Sequence, residues 1–146
     1  GFVDYDVPSL EEYTQMWTGN KYFYVAEIDE RFVGFFISFT DAFLSKVKVD
    51  EGVLRDYLLK LPKPFIYAYT LGVAPEFQGK GVAKRFFLKL FGDAAEKGYK
   101  TIYCAVVHSP LLNKRSRNLV LGNGFKLIKE LEIEGLTFGI YKKELS

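Results

Sequence analysis

The feature that most constrains this chain is a strand that runs, without a linker, through a double-glycine turn into a long amphipathic helix. Residues 65–73 are dominated by β-branched and aromatic side chains and predict a strand. The turn Gln78-Gly79-Lys80-Gly81 comes next, and Val82 and Ala83 open a helical pattern. Val82, Phe86 and Leu90 form one apolar row and Ala83, Phe87 and Phe91 a second; Arg85, Lys89, Asp93 and Glu96 lie opposite, with Gly98 as the cap. A glycine turn feeding a helix N-terminus leaves backbone N–H groups pointing outward, backed by the positive end of the helix dipole. That geometry binds phosphates. Gly79 and Gly81 let a pyrophosphate approach the backbone, and Lys80 adds a mobile positive charge. A glycine turn without a ligand has the same spacing, so the turn alone defines an anion geometry and not an anion.

The remaining segments supply more strands and helices. Ser9 and Glu12 make a capping box for a short helix through Tyr13, Met16 and Trp17, closed by Gly19. Residues 22–28 and 32–39 read as strands, with Asp29, Glu30 and Arg31 as the hairpin turn between them. Residues 41–64 read as a helical insertion between strands, too long for a simple hairpin connection. Within it Asp50 caps a helix whose Val53, Tyr57 and Leu61 form an apolar stripe, before Pro62 and Pro64 end it. The domain itself, the acceptor or the second subunit of a homodimer could bury that stripe. Residues 101–107 predict a strand, and residues 113–122 a helix closed by Asn123 and Gly124. Residues 125–133 and 136–142 form a final pair of strands around Glu134 and Gly135.

Composition narrows the function classes. A chain of 146 residues with 49% hydrophobic and 26% charged residues fits one globular domain over residues 1–146. The net charge of +2 is near balance and the basic residues are dispersed, which argues against nucleic acid as a partner. Cys104 is the only cysteine, so an internal disulfide and a cysteine-based zinc site are excluded. No stretch reaches the roughly 18 apolar residues of a membrane span, and no signal-peptide pattern opens the sequence; the expectation is a cytoplasmic protein that binds no membrane.

The segment Leu71-Gly72-Val73-Ala74-Pro75-Glu76-Phe77-Gln78-Gly79-Lys80-Gly81-Val82-Ala83 resembles the acetyl-CoA loop of GNAT acetyltransferases, V-x-P-x-x-[QR]-x-x-G-x-[GA]. Asn113, Ser116, Leu119, Gly124 and Phe125 resemble the family's later motif, N-x-x-[AS]-x-x-[LF]-Y-x-x-x-G-F. The two motifs stand in the family's order, separated by one helix and one strand. The resemblance implies an α+β fold of three layers, a mixed and mostly antiparallel sheet flanked by helices and splayed at the acyl-CoA site. It implies acetyl-CoA as co-substrate, no metal, and an amine acceptor that the sequence does not identify. In that reading the backbone of Leu71, Gly72 and Val73 pairs with the pantetheine arm, with Gly72 suited to a bulge. The N–H groups of Gln78, Gly79, Lys80, Gly81, Val82 and Ala83 hold the pyrophosphate, and Asn113 with Ser116 steadies the arm.

The sequence departs from the family at three places. The position of its frequent general-acid tyrosine is Val120, and residues 65–70 carry no carboxylate to serve as its frequent general base. Only eight residues precede Ser9, so the expectation is either a very short first strand or a chain without the usual first strand and helix. Direct transfer of an acetyl group to a primary amine is therefore one reading, and a non-catalytic acyl-CoA-binding or protein-interaction domain is the alternative. Tyr67, Tyr69 and His108 are the candidates for proton transfer, against packing roles for the tyrosines and a loop role for the histidine. Trp17 and Phe23 are candidates for an acceptor pocket or for core. Cys104 shares a strand face with Ile102 and Val106 and reads as a small buried hydrophobe, not an acyl-carrying nucleophile.

Overall fold

The computed structural model describes residues 22–46 and 52–145. The helix expected over residues 9–17, Trp17 and the Asp50 cap lie outside the described residues. Strands β1 (Phe23–Ile28), β2 (Arg31–Thr40), β3 (Ile66–Val73), β4 (Thr101–Ser109), β5 (Lys126–Ile133) and β6 (Leu136–Glu144) form one sheet in the order β1-β2-β3-β4-β6-β5. Only β3 and β4 run parallel. Helices α1 (Asp41–Leu44) and α2 (Gly52–Leu59) cover one face, and α3 (Val82–Glu96) and α4 (Lys114–Gly122) the other. The expected three-layer α+β architecture is what the chain builds.

Each face has its own core. Under α3 and α4 lie Phe36, Leu71, Phe86, Phe87, Leu90, Cys104, Val120 and Tyr141, with the Phe36 ring 5.1 Å from Phe87 and 6.0 Å from Phe86. Under α1 and α2 lie Phe39, Leu44, Leu54, Leu58, Phe65, Tyr67, Tyr103 and Ile140. Alternation along β4 divides its side chains as period two requires, with Ile102, Cys104 and Val106 to the first core and Tyr103 to the second.

Local chemistry explains where expectation and structure part. The β1–β2 turn uses Asp29 and Glu30, both at positive φ, as a two-residue hairpin needs; Arg31 already belongs to β2. On α2 the most buried residues are Leu54 and Leu58, and of the expected stripe Val53 is 57% exposed. Tyr57 and Leu61 of the expected stripe pack against the same core, partly buried, so the helix is rotated only far enough to put Val53 in solvent. On α3, Asp93 pairs with Lys89 one turn earlier at 3.4 Å, as its place on the polar face implies, and it also reaches the sheet. The Tyr24 hydroxyl of β1 donates to Asp93 Oδ2 at 2.7 Å, which ties the helix to the sheet, and burial raises the pKa of that phenol.

Candidate active site

The site begins where two parallel strands separate. The β3–β4 ladder contains only Ile66↔Ile102 and Tyr67↔Tyr103, and beyond it the strands diverge while β3 stays paired with β2 and β4 with β6. A V-shaped gap results, with the backbone of Leu71, Gly72 and Val73 along one side. The bulge on β3 falls at Tyr69, where the register passes from Thr70 to Ala68 opposite Ile37 and Ser38. Gly72, expected to bulge, instead makes room for a ring: a methyl group added there would lie 2.5 Å from Cε1 of Phe35.

At the mouth of the gap the chain turns through a short 3-10 turn (Pro75–Phe77) into α3. Ala74 donates its N–H to Val33 O at 2.8 Å, and the Gln78 side chain folds back to donate to Val73 O at 3.0 Å, so the loop is tied to the sheet. Gly79 (φ 78°) and Gly81 (φ 86°) adopt left-handed backbone, and nothing lies within 4 Å of where a side chain would project from either. Gly81 is the N-cap of α3 and offers no capping side chain, so the first N–H groups of the helix stay available. They face a cavity of about 560 Å³ lined by Gly79, Gly81, Val82, Ala83, Phe77 and Val73, with Lys84, Arg115, Asn118 and Leu119 adding its charged and opposite walls. Open space before helix N–H groups, bordered by two cations and continuous with Val73, suits an anionic ligand such as a phosphate.

The expected binding residues take distinct positions around this space. Val73, Gln78, Gly79, Gly81, Val82 and Ala83 line the cavity. Lys80 does not; its ammonium lies over the Phe77 ring, 5.7 Å from the centroid, with Arg31 at 5.8 Å. Asn113 is the N-cap of α4 and its Oδ1 accepts from Ser116 N–H at 3.1 Å, so the pair of the second motif spends this contact on starting the helix. The α4 residues that line the cavity are Arg115, Asn118 and Leu119, and Arg115 donates to Gln78 Oε1, bridging loop and helix. Sequence reasoning missed them, although the i, i+3, i+4 spacing from Arg115 puts all three on one helix face.

The proton-transfer candidates are dispersed. Tyr67 is 4% exposed, and its ring packs 6.2 Å from that of Tyr69, which is partly buried and 5.2 Å from Phe39. Both belong to the core under α1 and α2, and Phe23 packs against the same core. His108 is not in a loop but at a bulge in β4, with Nδ1 at 2.9 Å from Glu130 Oε1 and Nε2 at 2.7 Å from the Tyr141 hydroxyl. Val120 is buried in the core under α3 and α4. Cys104 is buried there too, and burial pushes its thiol pKa up, as expected of a packing residue.

A parallel pair splayed beside an uncapped, glycine-led helix N-terminus is an arrangement suited to a phosphate-bearing ligand, and the family match gives the class, an acetyl-CoA-dependent acetyltransferase. The chain belongs to the acetyltransferase (GNAT) family, whose sequence model matches residues 2–125. Among curated proteins, none matches. Of solved structures, Chaetomium thermophilum Naa20 in complex with a bisubstrate analogue is similar in fold, with a TM-score of 0.73 at 15% identity over 96% of this chain and 75% of that one. The NatC complex bound to Gag peptide and CoA gives 0.71 at 16% identity, covering 98% and 84% of the respective chains. Arabidopsis thaliana Naa50 in complex with the bisubstrate analogue CoA-Ac-MVNAL gives 0.67 at 16%, covering 97% and 85%.

Proposed function

We propose that the protein transfers the acetyl group of acetyl-CoA to a primary amine by direct attack in a ternary complex. The observation that carries this reading is the β3–β4 gap opening onto the uncapped N-terminus of α3. The backbone of Gly79, Gly81, Val82 and Ala83 holds the pyrophosphate, Lys84 and Arg115 offset its charge, and residues 71–73 align the arm. Acetyl-CoA supplies a thioester, whose thiol leaving group, with pKa about 8.5, departs without strong acid assistance. The protein's task is then chiefly to orient donor and amine, since proximity contributes more than the roughly 10²- to 10⁴-fold of general acid or base.

Among the tyrosines, Tyr69 is the bulged and more accessible one, and its phenol is the candidate to hand a proton to or from the site. His108 has no free ring nitrogen while both of its bonds stand. The peptide ligands named for the NatC and Naa50 structures support including peptide α-amines among the acceptors. The test is release of free CoA thiol against a panel of polyamines, amino acids and peptides with free N-termini. A Tyr69→Phe variant that is folded but slowed about 100-fold assigns the proton to that phenol; an unchanged rate leaves it to water.

A non-catalytic acyl-CoA binder is the second reading, favoured by buried, apolar Val120 and by the absence of a carboxylate along β3. Tight acetyl-CoA binding without thiol release on any amine would establish it.

A further inference from the structure

Outside the cavity, three polar side chains meet on the α4 face of the sheet. Where the register passes from Val107↔Phe138 to Ser109↔Thr137, His108 is the extra residue on β4. Its ring lies over Gly139 so closely that a methyl group there would sit 2.3 Å from Cε1 and Nε2. Glu130 pairs with Gly139 across β5 and β6, which delivers its carboxylate to the same place. An ionised carboxylate only accepts, so Nδ1 carries a proton and donates to Glu130; in the neutral imidazole Nε2 then accepts from the Tyr141 hydroxyl. Burial keeps that phenol protonated, against the opposing charge of Arg117 on α4. The imidazole side chain is 13% exposed.

This grip sits where β4 has a demanding task. Its first residues pair with β3, and its later ones must stay apart from β3, although neighbouring strands with open N–H and C=O groups gain by closing together. The attachment of β4 to β6 continues to Ser109, and the bulge at His108 bends the strand where it leaves β3. The same end of β4 also places α4, because Asn113 donates its N–H to Val107 O at 3.0 Å, and α4 carries Arg115, Asn118 and Leu119 into the cavity.

We propose that His108 is a positioning residue: gripped at both ring nitrogens by Glu130 and Tyr141 over Gly139, it holds the end of β4 on β6 and keeps open the gap that receives the pantetheine arm. This rests on the acyl-CoA reading of the cavity. The test is calorimetric titration of the full chain with two ligands, acetyl-CoA and adenosine 3′,5′-bisphosphate, which has the nucleotide end of CoA but no arm. Tyr141→Phe keeps the ring and deletes the donor, and should weaken acetyl-CoA about 5- to 10-fold, one hydrogen bond's worth, with bisphosphate affinity unchanged. His108→Ala should lose more, and His108→Gln, which offers one donor and one acceptor, should recover part of the loss. Unchanged acetyl-CoA affinity in Tyr141→Phe would overturn the proposal, and so would an equal loss for both ligands, which would mark the network as support for the fold alone. If His108→Ala does not fold, Tyr141→Phe and Glu130→Gln carry the test. Wild-type protein that binds neither ligand would overturn the acyl-CoA reading itself, an outcome visible before any variant is made.

Discussion

Substituting Gly81 with valine separates the ligand role of the loop from its backbone role. Gly81 has φ 86° and ψ 6° at the N-cap of α3, and open space lies in front of it. An L-residue in the left-handed region costs roughly 1–2 kcal/mol, and a β-branched one more, so Gly81→Val should lower stability even without ligand. The larger effect falls on binding. The valine methyls would enter the space that the phosphates need, and each lost hydrogen bond to a charged group is worth about 1.5–3 kcal/mol. Loss of one raises the Kd for acetyl-CoA by roughly 10- to 150-fold, and loss of two by up to roughly 10⁴-fold. Gly135 is the control: it has φ 83° in the β5–β6 turn, also with open space around it, but does not line the cavity. Gly135→Val should show a similar fall in Tm with acetyl-CoA affinity intact. Calorimetric titration and thermal denaturation of both variants make the comparison. A folded Gly81→Val protein that binds acetyl-CoA as tightly as wild type would refute the assignment of the loop.

Arg115→Ala removes a cavity cation and the donor to Gln78 Oε1, and should weaken acetyl-CoA about 3- to 10-fold with a flatter salt dependence. Lys80→Ala, whose ammonium sits over Phe77 and not in the cavity, should lose less in the same titration. Gly72→Ala sets a methyl group 2.5 Å from the Phe35 ring and should cost about 1–3 kcal/mol in denaturant unfolding; unchanged stability would mean that the ring moves aside freely.

How much was legible depended on whether the information was local. The loop and α3 could be read because glycine backbone freedom and 3.6-residue periodicity are properties of adjacent residues, and Gly79, Gly81, Phe86, Phe87 and Leu90 stand where those rules put them. The rotation of α2 that leaves Val53 in solvent was not local: it depended on the sheet face that received the helix. Gly72 and Gly139 carry the same lesson. Gly72 reads as suited to a bulge, yet its missing side chain makes room for the Phe35 ring, as that of Gly139 does for His108. His108 looked solitary because Glu130 and Tyr141 lie 22 and 33 residues away in sequence, and β pairing alone joins them. Arg115 was hidden for a different reason, since the motif draws attention to Asn113 and Ser116 while the helix turns its neighbours toward the cavity.

Val120 occupies the position of the family's frequent general-acid tyrosine, and the obvious experiment is to restore the phenol. The structure predicts that this fails. Val120 is 5% exposed, in a core that also holds Phe125, Tyr141 and Cys104, and its carbonyl accepts the N–H of Phe125 at the end of α4. A tyrosine there must displace packed side chains, at about 1–3 kcal/mol, and bury a hydroxyl that needs a partner. The cavity-facing neighbour is Leu119, one position earlier, so the helix directs residue 120 into the core and residue 119 toward the cavity. Val120→Tyr should therefore lower Tm without raising kcat in the thiol-release assay. A Val120→Tyr protein of wild-type stability and higher kcat would show that the phenol reaches the cavity, and the packing argument for this helix face would have to be abandoned.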